Sequence, residues 1–106
     1  MNYSIVLTEQ ARIHIRYLLR QGVMNRGEQV RLINALATRL QYQPTMAQGS
    51  VKILHQPNIL AVSYELRVQP WRVFYNVDDN VREVRIEAVG YKVREKLLVE
   101  GKEVEL

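Results

Sequence analysis

Residues 71–79 read WRVFYNVDD. Val73, Tyr75 and Val77 alternate with Arg72, Phe74 and Asn76, which is the period of a β-strand with one buried face. Arg72 stands at the root of this strand, where an arginine is costly unless its planar fork meets a carboxylate or a phosphate. Upstream, ILAVSYELRV runs into Gln69-Pro70, a turn that keeps the proline out of the ladder. Downstream, Asp78-Asp79-Asn80 has the composition of a hairpin turn. VREVRIEAVG follows, with Val84, Ile86 and Ala88 assigned to one face and Arg85 and Glu87 to the other. These runs, with the short VKILH before Pro57, predict an antiparallel meander of about four strands.

The first half of the chain reads differently. NYSIVL alternates like a short strand and joins the sheet at an edge. Thr8 is a suitable N-cap for a helix in which Ala11, Ile15, Leu18 and Leu19 share a face and Arg12, Arg16 and Arg20 lie on another. Gly22 falls where a C-terminal cap is wanted. A second helix, residues 26–42, is predicted from Val30, Ile33, Leu36, Ala37 and Leu40, giving an αα-hairpin that covers one face of the sheet. Pro44 and TMAQGS end the helical pattern. For YKVREKLLVEGKEVEL the expectation is a last helical turn, a short strand at Leu97–Val99, a turn at Gly101 and an extended tail. The fold class is therefore α+β, as one domain over residues 1–106.

Composition excludes several functions. The chain has no cysteine and only His14 and His55, so disulfides, thiolate metal sites and imidazole clusters are not expected, nor is a cofactor. No apolar run approaches the roughly 20 residues that span a bilayer, and MNYSIVLTEQ lacks the pattern of a signal peptide, so a cytoplasmic protein is expected. The net charge is +4. Six arginines face two glutamates in residues 1–50, whereas nine bases balance nine acids in residues 51–106. Such a charge permits a nucleic acid or an acidic protein as partner without requiring either.

The order strand, two helices, antiparallel meander, with ELRVQPWRVFYNVDD and REVRIEAVG inside it, resembles the RelE/ParE superfamily of bacterial type II toxins. The resemblance covers essentially the whole chain and is most specific from Glu65 to Gly90, with Trp71 where tyrosine is usual. It implies a toxin silenced by a cognate antitoxin. One branch of the superfamily enters the ribosome and cleaves mRNA without a metal, inhibiting translation; the other inhibits DNA gyrase and cleaves nothing. A decayed toxin that only binds its antitoxin is a third outcome. Fold alone does not choose among them.

For the nuclease branch, the resemblance assigns Arg72 and Lys92 to a phosphate clamp, with Glu65 as a possible general base and Arg67 beside them. Tyr91, Arg94 and Lys96 form a cationic cluster with an aromatic that suits RNA. The sequence departs from that branch at three positions. Its paired lysines fall at Ser63 and Glu65, and its C-terminal catalytic tyrosine falls at Leu98. Each assignment has a plainer counterpart: Arg72 pairing with Glu65 or Glu87 across the sheet, Arg12, Arg16 and Arg20 as a solvated helix face, Trp71 and Phe74 as packing residues. The two histidines carry no assigned role.

Overall fold

The alternation in residues 71–79 is realised as a strand at the centre of a seven-stranded sheet. The computed structural model describes residues 2–106. Its elements are β1 (Ser4–Leu7), α1 (Glu9–Arg20), α2 (Arg26–Leu40), β2 (Val51–Ile53), β3 (Tyr64–Val68), β4 (Trp71–Asp78), β5 (Glu83–Val93), β6 (Lys96–Val99) and β7 (Lys102–Glu103). Strands β2 to β7 lie side by side in chain order, all antiparallel. β1 lies at an edge as expected, and parallel, against Glu83–Ile86 of β5.

The helices begin at satisfied caps. The Thr8 hydroxyl accepts the Ala11 N–H at 3.2 Å and donates to the Ile86 carbonyl at 2.8 Å, so one side chain both starts α1 and ties it to the sheet. Asn25 and Glu28 form a reciprocal capping box at the start of α2. Gly22 takes a left-handed φ of +71° after α1. The helical hairpin packs on one face of the sheet, and Leu18, Leu36, Leu40, Val73, Tyr75, Val84 and Ile86 are all buried in the shared core. Each such side chain contributes about 1.5–3 kcal/mol by leaving water.

Three expectations are corrected. The α2 helix stops at Leu40, two residues short of the expected end. β4 is buried on both faces where one buried face was expected: Phe74 packs in a second cluster with Leu54, Val62, Ala88, Leu97 and Val99, and Arg72 on the same face is also largely buried. The C-terminal segment makes no helical turn. Arg94, with φ of 59°, closes a hairpin into β6, and Glu100-Gly101, both at positive φ, close a second into β7.

The fourth correction concerns register. Phe74 pairs with Ala88 while Tyr75 pairs with Ile86, so Glu87 is an extra residue, a β-bulge. Before it Val84 and Ile86 face the helices; after it Val89 and Tyr91 do, and Ala88 turns to the opposite cluster with Phe74. The assignment of Ala88 to the face of Val84 and Ile86 is thus reversed. A bulge shifts the two-residue period by one, and everything downstream changes side. Lys92 is thereby put on the face opposite the helices, the face of Arg72. Past Ile86, β1 no longer covers the edge of β5, and β6 pairs only from Tyr91 onward. The Val89 N–H in that gap donates to Nδ1 of buried His14 at 3.1 Å.

Candidate functional site

The face opposite the helices carries a groove of about 590 Å³. Strand register lines up its floor: Lys52 sits opposite Glu65, Arg67 opposite Arg72, Arg72 opposite Gly90, and Lys92 opposite Leu97. Four predicted site residues, Glu65, Arg67, Arg72 and Lys92, therefore line one concavity, together with Lys52 and His55. The C-terminal segment supplies the remaining wall, from Glu95 and Leu97 to Glu103, Val104, Glu105 and Leu106.

Arg72 has an answer to its desolvation, and the first partner is a carboxylate. Only 6 % exposed, it places Nε 3.2 Å from Oε2 of Glu65, and its Nη1 donates to Gln69 Oε1 at 3.2 Å and to the Trp71 carbonyl at 3.1 Å. Burial lowers the guanidinium pKa from its ordinary value, Glu65 opposes that, and Arg67 adds to it. The partner is Glu65 and not Glu87, whose carboxylate takes a hydrogen bond from Asn76 at 3.3 Å. Arg72 is thus a fixed cation at the groove floor, while Lys52, Arg67 and Lys92 are exposed and are the charges an incoming anion meets first.

The remaining predicted residues are not brought to this groove. Tyr91 faces the helices and packs edge-on against Trp71, ring centroids 6.3 Å apart, so it offers no stacking platform beside Lys92. Arg94 lies in the β5–β6 turn, and Lys96 pairs with Val93; both are exposed and neither lines the groove. Leu98 pairs with Tyr91, while its neighbour Leu97 faces the groove. The position that the resemblance assigns to a catalytic tyrosine is therefore on the other side of β6, turned away from the groove. Trp71 and Phe74 are packing residues, 1 % and 0 % exposed.

His55 was missed. It follows β2, and no strand period fixes its direction; the loop does. Asn58 Nδ2 donates to the His55 carbonyl at 2.9 Å and to the Val62 carbonyl at 2.7 Å, while its Oδ1 accepts the Val62 N–H at 3.2 Å, closing residues 55–62 into a compact turn beside the cations. An imidazole is the side chain best suited to exchange a proton near neutral pH. Among the described residues no three His, Cys, Asp or Glu side chains come together as a metal-binding cluster.

A second surface lies on the helical hairpin. Two adjoining concavities of about 560 and 400 Å³ share Arg16, Leu19 and Arg26, and the second adds Arg12, Ile15 and Ile33. Among the described residues Arg12, Arg16 and Arg20 make no ion pair. Apolar floor and unpaired cations coincide there.

No family model and no curated protein sequence matches the chain. Among solved structures, it is similar to a chain of the toxin-antitoxin complex RelBE2 from Mycobacterium tuberculosis, with a TM-score of 0.62 over 87 % of this chain and 100 % of that one. The two share a fold. At 22 % identity the likeness is one of architecture, and it bears out the α+β topology expected from the order of elements. No helix among the described residues is long and apolar enough to cross a membrane.

Proposed function

We propose that the chain is the toxin of a type II toxin-antitoxin pair and cleaves mRNA on the ribosome, inhibiting translation. What carries this reading is the convergence of Lys52, Arg67, Arg72 and Lys92 with Glu65 and His55 in one groove. Ribonucleolysis of this kind needs no group beyond such a set. The ribose 2′-oxygen attacks the adjacent phosphorus, the bond to the 5′-oxygen breaks, and a 2′,3′-cyclic phosphate and a 5′-hydroxyl result. One proton leaves the 2′-hydroxyl and one reaches the 5′-oxygen. His55 and Glu65 are the groups in the groove able to exchange them, and Glu65 is the more committed of the two because Arg72 already holds it. The phosphate gains charge in the transition state, where Lys92 and Arg67 stabilise it from exposed positions and Arg72 from the floor.

The helical hairpin supports the partner half of the proposal. A segment carrying apolar side chains and carboxylates would lay the former on Leu19, Ile15 and Ile33 and the latter beside Arg12, Arg16 and Arg20. This is the surface on which the cognate antitoxin would dock. The RelBE2 neighbour was itself solved as a toxin-antitoxin complex.

The test is cleavage of ribosome-bound mRNA mapped by primer extension. Wild type should cut within codons; Lys92→Ala should lower the rate by about 10²–10³, the loss seen when one transition-state donor is removed, and leave melting unchanged because Lys92 is exposed. Intact transcripts beside arrested growth would reject the nuclease and point to a ParE-like inhibitor of gyrase, assayed by supercoiling. Intact transcripts and normal growth would leave a chain that only binds its antitoxin.

A further inference from the structure

The groove is electrically balanced. Lys52, Arg67, Arg72 and Lys92 line it, and so do Glu65, Glu95, Glu103 and Glu105, four bases and four acids. Glu65 is engaged by Arg72, but Glu103 and Glu105 belong to β7 and the residues after it and form no ion pair of 4.0 Å or less among the described residues. Without those two, four bases would face two acids.

The attachment of this segment is uneven. At its turn it is held on α1: Glu100 Oε1 lies 4.0 Å from His14 Nε2, and Gly101 is packed against the Tyr17 hydroxyl. Beyond the turn, β7 is only two residues long and pairs only with β6. Val104 donates one backbone hydrogen bond to the Leu97 carbonyl, at 2.9 Å, and packs half-buried against the Leu54–Leu97–Val99 cluster; Glu103, Glu105 and Leu106 are exposed. Few buried contacts and one light anchor mark a segment that opens well before the domain unfolds.

We infer that β7 and residues 104–106 form an intrasteric strap, seated on the wall of the groove, that sets carboxylates beside the cations and yields when an RNA strand binds. The inference rests on the reading of the groove as a phosphate site. Displacement takes the strap's carboxylates out of the groove and leaves its cations to backbone phosphates, and its cost is the loss of the short β6–β7 pairing and of the Val104 anchor.

The experiment measures, by fluorescence anisotropy, binding of a short labelled single-stranded RNA carrying 2′-O-methyl riboses, which cannot be cleaved. Val104→Ser loosens the anchor at unchanged charge and should bind about fivefold more tightly than wild type; Glu103→Gln with Glu105→Gln should do at least as well, the scale expected of two exposed charge interactions. Glu9→Gln with Glu83→Gln makes the same change of net charge away from the groove and should have a smaller effect. Thermal melting confirms that each variant is folded. If Lys52→Ala and Lys92→Ala leave binding unchanged, the phosphate reading of the groove fails. If those two weaken binding while Val104→Ser equals wild type and the strap double variant equals its charge control, the groove stands and the strap is overturned.

Discussion

At the scale of single residues, Arg72 shows how an ion pair can obscure a catalytic test. With side chains 8 % and 13 % exposed, Arg72 and Glu65 are largely withdrawn from water. Removing one partner of such a pair leaves the other charge uncompensated, which costs more than the pair itself contributes. Arg72→Ala is therefore expected to destabilise the fold by about 3 kcal/mol, seen as a drop in melting temperature of roughly 10 °C or more. Growth arrest lost in that variant would then report stability as much as chemistry, whereas Lys92 and Arg67 are clean probes because they are exposed. His14 is the second telling residue. Its Nδ1 accepts the Val89 N–H, so the neutral ring is required, and burial lowers its pKa below the usual 6.5 with Glu100 opposing in part. The unfolded chain then binds the proton more readily. The stabilisation is complete above about pH 6.5 and is lost as pH falls from there toward the lowered folded value. Urea denaturation between about pH 8 and pH 5 should show this loss, and His14→Gln should flatten it.

At the scale of elements, β5 does the arranging. It carries the bulge at Glu87, takes β1, His14 and β6 in succession along one edge, and reaches the groove at Gly90 and Lys92. Gly90 is needed for the close approach of β6: a Cβ there would lie 2.5 Å from the Leu98 carbonyl oxygen and 2.9 Å from Val99 Cγ2. Backbone cannot give way as a flexible side chain does, so Gly90→Ala is expected to push β6 outward and cost about 1–3 kcal/mol. Hydrogen exchange should then rise in β6 and β7 before it rises in β3 and β4. The elements themselves were readable where one period ran unbroken: α1 from Ala11, Ile15 and Leu18, and β4 from its alternation. The period gave no warning of the bulge, because Val84, Ile86 and Ala88 keep a perfect alternation through it. Of the two C-terminal hairpins, the strand at Leu97–Val99 and the turn at Gly101 were read correctly, whereas the turn into β6 was taken for a helical turn, since the positive φ at Arg94 falls on a residue that does not advertise it.

At the scale of the whole molecule, two surfaces that present exposed bases lie on opposite faces of one sheet, the charge-balanced groove on one side and the arginines of α1 on the other. Their separation predicts separable losses. Reversing charge at Arg12, Arg16 and Arg20 should weaken capture of a co-expressed antitoxin by about tenfold or more, mostly in the association rate and most at low salt, and leave mRNA cleavage intact. Lys92→Ala should do the reverse. Association kinetics at two salt concentrations, beside the primer-extension assay, check both. The sequence by itself determined the order of elements and the helix-side core, because local periods and caps are properties of neighbours along the chain; Glu65, Arg67, Arg72 and Lys92 were named through the family resemblance, and the fold lines one groove with them. Tertiary structure decided which residues share a face. The bulge at Glu87 moved Ala88 and Lys92 across the sheet, the turn built on Asn58 delivered His55, the β3–β4 pairing set Glu65 against Arg72, and the last hairpin carried Glu103 and Glu105 to the groove wall. Apart from the Asn58 turn, whose bonds span only three and four residues, each is a contact between different strands, whose free energy comes from burial and pairing that no single strand's pattern encodes.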